Sequence, residues 1–488
     1  MERSAQHGGH DVAGQSTQDA RDGRAPKFVQ LVESETGASL HEKLYQRVRE
    51  LILSGKLSHG ARLAPSRSLA ASLGVSRNSV LTAIDRLIAD GFLESRKGSG
   101  VYVAYQGAHS QPPSLSSTAS EPDTALPFAL GLTSVDVFPM RLWQRLQSRR
   151  WKSLSSFSLH EGNPVGWIGL REAIAAHAAM TRGLQCSPDQ VIVTNCIPAG
   201  IELAARALGL MGKTVWMEDP GYSAVARSLQ YAGALCVAVP VDASGIDVEA
   251  GRRLAPSAKA AFVTPACQFP ANVVMSKATR SALLAWAHET DSWILEDDFA
   301  WYSVDPEQAL RPLAAMDGAR TIYVNSFNHT LFPSLRIGYV IVPEPLIARF
   351  VDVQNGMSGS SNIPNQMVLA DFINQGHLDE HIKQLKESRQ ERYAALDHAL
   401  QTHLAQYLAA DEKPSSSHIT CSLKQGTVAA LLAECQAQNI VVEPMSKYRL
   451  NGTPSGQIVL GCHGFTPKVI ADAAAKLRAI FAAIDPSS

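Results

Sequence analysis

The 488-residue chain has no run of 18 apolar residues, so it lacks a stretch long enough to cross a bilayer as a helix. Its first residues hold no apolar segment behind a basic start, and the pattern of a secretory signal is missing. Paired or clustered cysteine is missing too. The seven thiols (186, 196, 236, 267, 421, 435, 462) show neither CxxC nor Cys/His ligand spacing, which argues against a disulfide frame or a zinc site and for reduced thiols in a cytoplasm. Neither sign of charge dominates: the formal net charge is −1. No internal repeat is visible. What remains is a composition of 45% hydrophobic and 18% charged residues, that of a soluble globular protein. The chain is too long for one core and predicts two or three domains.

The near-neutral total conceals an uneven distribution. Residues 1–27 are rich in Gln, Gly, Asp, Ser and His, and read as a disordered tail. Between Ser39 and Ala104, ten Lys/Arg face five Asp/Glu, so this block carries +5 and, with the chain at −1, the remainder carries −6. A basic module on an acidic body is the charge pattern of a nucleic-acid binder.

Within that block Leu40, Leu44, Val48, Leu51 and Ile52 recur at helical spacing, with Gly55 as the stop. Pro65-Ser66 opens a second short helix carrying Leu69, Ala70 and Leu73. Gly74-Val75-Ser76 makes a turn, and Ser76 is a good N-cap for a third helix bearing Val80, Ile84, Leu87 and Ile88. Two short strands, 92–96 and 101–103, flank the tip Lys97-Gly98-Ser99-Gly100. This order is that of a winged helix-turn-helix over residues 37–105. Its third helix suits the major groove, with Ser76, Arg77, Asn78 and Ser79 offering donors to base edges and phosphates. Arg67 is placed to clamp the backbone, and Lys97 with Gly98 on the wing to reach an adjacent groove. The alternative is a small helical domain with a solvated basic face. The wording Leu63-Ala64-Pro65-Ser66-Arg67-Ser68-Leu69-Ala70, Leu73 to Val80, Gly91-Phe92-Leu93 and Gly98-Ser99-Gly100 resembles the GntR family of bacterial transcription factors. That resemblance implies DNA contacts by Arg67, Arg77, Asn78, Ser79 and the Lys97-Gly98 wing. One departure is visible: Ala64-Pro65 stands where the family usually has Pro-Ser.

A Ser/Pro-rich segment, 106–127, reads as a flexible linker. Beyond it, seven apolar β-rich runs alternate with helical stretches, at 191–193, 215–217, 237–239, 261–263, 293–295, 322–324 and 337–342, which predicts an α/β fold with a large, mostly parallel sheet. A helix from Leu378 to Leu400 then leads into a smaller α+β segment.

From residue 128 to 485 the chain resembles class I aminotransferases of fold type I, which use pyridoxal phosphate (PLP). The motifs are Gly162-Asn163-Pro164, Arg182-Gly183, Glu218-Asp219-Pro220-Gly221-Tyr222, Gln268-Phe269-Pro270, Glu296-Asp297-Asp298 and Ser326-Phe327-Asn328-His329 with Arg336 and Gly338-Tyr339. The two regions together resemble the MocR subfamily of GntR regulators, in which an aminotransferase-like domain is the effector sensor. The resemblance implies that Asp297 faces the pyridine nitrogen, Ser326 and Arg336 hold the phosphate, and Tyr222 stacks on the ring. Read as bland residues instead, they are a strand-end acid, a surface ion pair and a packed aromatic.

The departures are concentrated. His329 occupies the place of the cofactor lysine, and an imidazole forms no stable Schiff base. Phe299 stands for a tyrosine, Cys196-Ile197-Pro198 for a Gly-x-Gln phosphate loop, Cys267 for a histidine, Asn272 for a glycine, and Val459 near the arginine that binds substrate carboxylate. His329 either fills the lysine's space or serves as a hydrogen-bonding group or base toward a ligand. The expectation is a cytoplasmic, dimeric DNA-binding regulator without transaminase activity, binding a PLP-like or other small molecule non-covalently or none. The rival readings are an enzyme using PLP or pyridoxamine phosphate with His329 as base, and a dimerisation body without a ligand.

Overall fold

The computed structural model describes residues 40–53, 56–105, 125–154, 162–303, 310–357, 362–410 and 418–484. The chain divides into two compact units, Met1–Pro122 and Asp123–Ser488. The expected tail at 1–27 and nearly all of the expected linker lie outside the described residues, as does the helix stop at Gly55.

In the first unit, α1 (Leu40–Leu53), α2 (Ser66–Leu73) and α3 (Arg77–Ala89) are followed by β1 (Leu93–Arg96) and β2 (Gly100–Val103). Leu44, Val48 and Ile52 of α1 meet Val80, Ile84 and Leu87 of α3 in one core. Gly74 closes α2 in the left-handed conformation at φ 65°, where a side chain would be strained. Ser76 caps α3 by accepting the Ser79 N–H at 3.1 Å. Tyr45 Oη donates to Asp90 at 2.6 Å and ties α1 to the end of α3. The strands pair antiparallel from Leu93↔Val103 to Arg96↔Gly100, and Gly98 at φ 75° turns the tip.

The second unit holds an eight-stranded sheet. Its strands are β3 (Val191–Thr194), β4 (Thr214–Asp219), β5 (Leu235–Asp242), β6 (Gly245–Ile246), β7 (Ala260–Val263), β8 (Trp293–Asp297), β9 (Thr321–Ser326) and β10 (Gly338–Ile341), in the order β3-β10-β9-β8-β7-β4-β5-β6. The pairs from β5 through β4, β7 and β8 to β9 are parallel; β10 runs antiparallel to both neighbours. All seven expected runs are strands. The two-residue β6 is additional, too short to leave a periodic signal. Apolar residues cover both faces: Leu170, Ile174, Tyr323 and Phe372 lie in one cluster, Ile201, Val225, Leu295 and Phe350 in another.

The helix His377–Ala399 leads to a second, antiparallel sheet of β11 (Leu408–Ala410), β12 (His418–Leu423), β13 (Glu443–Pro444) and β14 (Gln457–Gly461), ordered β11-β12-β14-β13. Phe128 is buried in that subdomain's core, and its carbonyl accepts from Gly461 N–H. Pro127, expected in the linker, accepts from Val441 N–H and so belongs with this sheet.

Candidate functional site

The C-terminal ends of the parallel strands and the β13 region enclose a cavity of about 260 Å3. Tyr222 follows β4, Thr264 follows β7, Asp297 ends β8, and His329 lies on the loop from β9 to β10. These four line the cavity together with Ile197, Phe269, Phe299, Glu443, Lys447 and Tyr448, among others. Ligand sites in parallel sheets lie at such strand ends.

The loop after β4 requires its unusual sequence. A Cβ on Gly221 would stand 2.2 Å from the Glu218 carbonyl oxygen, so glycine alone fits. Gly221 N–H donates to the Tyr448 carbonyl and Leu450 N–H to Asp219, both fixing this loop against the 445–450 segment. Asn272 sits at φ 57° and reaches the His418 carbonyl through its amide. Asparagine is among the non-glycine residues best suited to that conformation.

The run Glu296-Asp297-Asp298 illustrates how three adjacent acids part company. Glu296 accepts from the N–H groups of Leu313 and Ala314 at 2.7 and 2.8 Å. Asp298 holds Arg182 at 2.7 Å and Tyr323 at 2.8 Å. Asp297 faces the cavity. Its Oδ1 accepts from Phe299 N–H at 3.1 Å, whereas Oδ2 is buried without a partner. Burial, reinforced by the neighbouring carboxylates, pushes the Asp297 carboxyl well above its ordinary range. A buried acceptor with no donor is costly, and a ligand N–H is the group that would satisfy it.

The His329 ring stands 5.7 Å from that of Phe299. Its carbonyl accepts from Thr133 Oγ1 at 2.9 Å, Arg389 Nη2 at 3.1 Å and Tyr302 Oη at 3.4 Å. Burial, then the Arg389 charge, lower the imidazole to about 4. At neutral pH the ring is therefore uncharged.

Ser326 and Arg336 are not among the residues that line the cavity. The buried Ser326 hydroxyl donates to the Ile337 carbonyl at 3.4 Å and accepts from Asn328 N–H at 3.1 Å, closing the loop. Arg336 is exposed, adopts the left-handed conformation at φ 55°, and contacts Cys196 Sγ at 3.8 Å. That contact places its guanidinium at the start of the helix Ile197–Ala207, an end that favours anions, although Pro198 contributes no N–H there. Val459 is fully buried in an apolar cluster with Met445 and Tyr448, so no cation occupies that strand position.

Sequence reading did not single out Arg227, Glu443, Lys447, Tyr448 or Arg389. Glu443 and Lys447 are four residues apart and bond at 2.7 Å, a weak signal in itself. Nothing in the sequence brings position 389 to position 329.

In the DNA-binding unit the basic residues differ in what they already touch. Arg47, Arg86 and Arg96 pair with Glu50, Glu42 and Glu94. Among the described residues Arg67 and Lys97 pair with no acid, and Arg77 makes one 3.4 Å contact, to Ser66 Oγ. Arg67, Ser76, Arg77, Asn78, Lys97 and Gly98 are exposed; Ser79 is half-buried.

A three-helix winged module and a fold-type I body define a class: a DNA-binding regulator with an aminotransferase-like domain. Residues 40–103 match the family model "Bacterial regulatory proteins, gntR family", and residues 158–477 match "Aminotransferase class I and II". The probable rhizopine catabolism regulatory protein MocR of Rhizobium meliloti is 34% identical over 94% of this chain and 97% of its own. The pyridoxine biosynthesis transcriptional regulator PdxR of Corynebacterium glutamicum is 30% identical over 74% of this chain and 79% of its own. Among solved structures, an archaeal alanine:glyoxylate aminotransferase superposes with a TM-score of 0.67 at 20% identity, covering 73% of this chain and 91% of that one. The α-aminoadipate aminotransferase LysN of Thermus thermophilus, complexed with N-(5'-phosphopyridoxyl)-L-leucine, gives 0.67 at 20% identity over 74% and 92%. The chain belongs to the GntR regulators that carry a class I/II aminotransferase-like domain, the MocR type.

Proposed function

We propose that the aminotransferase-like domain is a sensor that binds a PLP-type ligand without a covalent bond and performs no transamination. One observation carries this reading: the unpartnered Asp297 oxygen and the uncharged His329 imidazole share one cavity. The residues present fit such a ligand. Asp297 would meet the ring nitrogen, Ile197, Tyr222 and Phe299 would flank the ring, and Arg336 with the start of the helix Ile197–Ala207 would face the phosphate. When bound to an enzyme, the cofactor acts as an electron sink for carbanion chemistry.

His329 cannot anchor the ligand, and its depressed basicity opposes the rival reading as a general base. Such a base works best with a pKa near the operating pH, and about 4 is far below it. Its uncharged ring nitrogens remain available for a hydrogen bond. Thr133, Tyr302 and Arg389 fix its backbone and hence where the ring stands.

In the first unit, α3 reads the major groove through Arg77, Asn78 and Ser79, Ser76 shapes the helix start, and Arg67 with the Lys97-Gly98 wing grips phosphates. The chain acts as a cytoplasmic homodimer on paired half-sites. The fold-type I resemblance supports the dimer, as do Met140, Trp151 and Ile168 on the helices Met140–Ser153 and Ile168–Arg182, each about half exposed.

The test is calorimetric titration of the full chain with PLP, pyridoxamine phosphate and reduced PLP–amine adducts, beside an assay with amino donors. Saturable binding that Asp297→Ala abolishes, with no turnover, is expected. Sustained conversion of an amino donor overturns the sensor reading, and heat from none of the ligands overturns the ligand class.

A further inference from the structure

A second recess, of about 160 Å3, adjoins the cavity and shares five lining residues with it: Tyr222, Ser223, Arg227, Lys447 and Tyr448. Arg449 lines the second recess but not the first. Three cations thus surround a small space.

Their counter-ions are missing or elsewhere. Among the described residues neither Arg227 nor Arg449 has a carboxylate within ion-pair distance, and Arg449 Nε is buried without an acceptor. Lys447 pairs with Glu443, which lines the first cavity but not the second. Glu218, also in the wall of the recess, is turned inward, accepting from Thr264 Oγ1 at 2.6 Å, Thr264 N–H at 3.2 Å and Gln268 Nε2 at 3.2 Å. Burial raises that carboxyl to about 7, which weakens it as a counter-ion. A partly buried guanidinium without an acceptor is unfavourable and selects for an anionic ligand. At Val459, by contrast, the expected carboxylate site is an apolar contact.

We propose that the recess lined by Arg227, Lys447 and Arg449 is an oxyanion subsite, taking the carboxylate or phosphonate-like group of an effector whose other end lies against Asp297. This inference rests on the cavity being an effector pocket, as argued above. The shared lining residues make the two spaces neighbours, and the proposal places one molecule across both. Bidentate recognition by two arginines favours a flat or tetrahedral oxyanion over a neutral polar group.

Three unreactive probes, titrated into the full chain, test it: N-(5'-phosphopyridoxyl)-L-leucine, its phosphonate analogue, and the decarboxylated N-(5'-phosphopyridoxyl)-3-methylbutylamine. The acid-bearing adducts should bind at least about tenfold more tightly than the amine adduct, the effect of a charge-assisted contact. That advantage should vanish in Arg449→Gln and in Arg227→Gln while the amine adduct keeps its affinity. Arg227 is exposed, so its variant keeps the test available if Arg449→Gln does not fold. Whichever acid-bearing adduct binds more tightly identifies the oxyanion. Equal binding of all three probes, or an advantage that survives both substitutions, overturns the subsite alone. Binding of none overturns the pocket reading together with it.

Discussion

Two side chains carry the sensor reading, and each answers to a separate substitution. Lysine in the place of His329 puts an amine on the wall that Asp297 shares. His329→Lys treated with PLP and borohydride should give a pyridoxyl-labelled peptide containing residue 329, whereas the natural chain should give none. Asp297 responds to pH. Its folded pKa is raised, so its favourable contribution is complete below the ordinary carboxylate range and is lost as pH rises through the folded value. Asp297→Asn keeps an oxygen for the Phe299 N–H and removes the ionisation. The variant should therefore gain stability over the natural chain at pH 8 relative to pH 5, read as a larger difference in Tm at pH 8. A thermal-melting difference that is the same at both pH values contradicts this placement. Much of the residue-level pattern was readable, because motif spacing marks Tyr222, Asp297 and His329. The roles of Arg389, Arg449 and the unpartnered Oδ2 were not, since they depend on which surface each side chain faces.

The DNA-binding element separates cations by what they already touch. Arg77→Ala should weaken binding to the natural operator by about 1–3 kcal/mol, the worth of a specific base contact. Arg67→Ala and Lys97→Ala should lower affinity for all DNA sequences and reduce the salt slope by about 1 each. Arg47→Ala removes a charge already paired with Glu50 and should leave both quantities unchanged; a fluorescence-anisotropy titration at several salt concentrations measures all four. Ser76→Ala acts differently, removing an N-cap at a cost of about 1 kcal/mol of stability. The helices of this unit were legible because apolar periodicity and the Gly74 and Ser76 signals are local. The two-residue β6 and the antiparallel placement of β10 were not, because strand pairing is a long-range choice.

Across the whole molecule, the histidines set an acid limit. Burial lowers His329 and His418 to about 4 and His463 well below its usual value, so the second unit carries several imidazoles that must remain uncharged. Groups with depressed folded pKa values stabilise above their ordinary value near 6.5 and lose that contribution as pH falls through it toward the folded value. The core of the first unit contains no histidine among the described residues. His418→Gln, which has no imidazole to protonate, should lose less stability than the natural chain between pH 7 and pH 5, as calorimetry of the full chain would resolve. An equal loss in both chains would show that His418 is protonated in the folded state without a penalty.

The sequence by itself determined the two-part organisation and the strand-and-helix alternation, because periodicity, turn residues and motif spacing are written in neighbouring positions. Tertiary structure alone decided that Asp297 Oδ2 is left without a donor, which basic residues remain unpaired, and that Arg227, Lys447 and Arg449 share one recess. The reason is physical: burial and pairing depend on contacts between segments hundreds of residues apart, and composition along the chain carries no record of them.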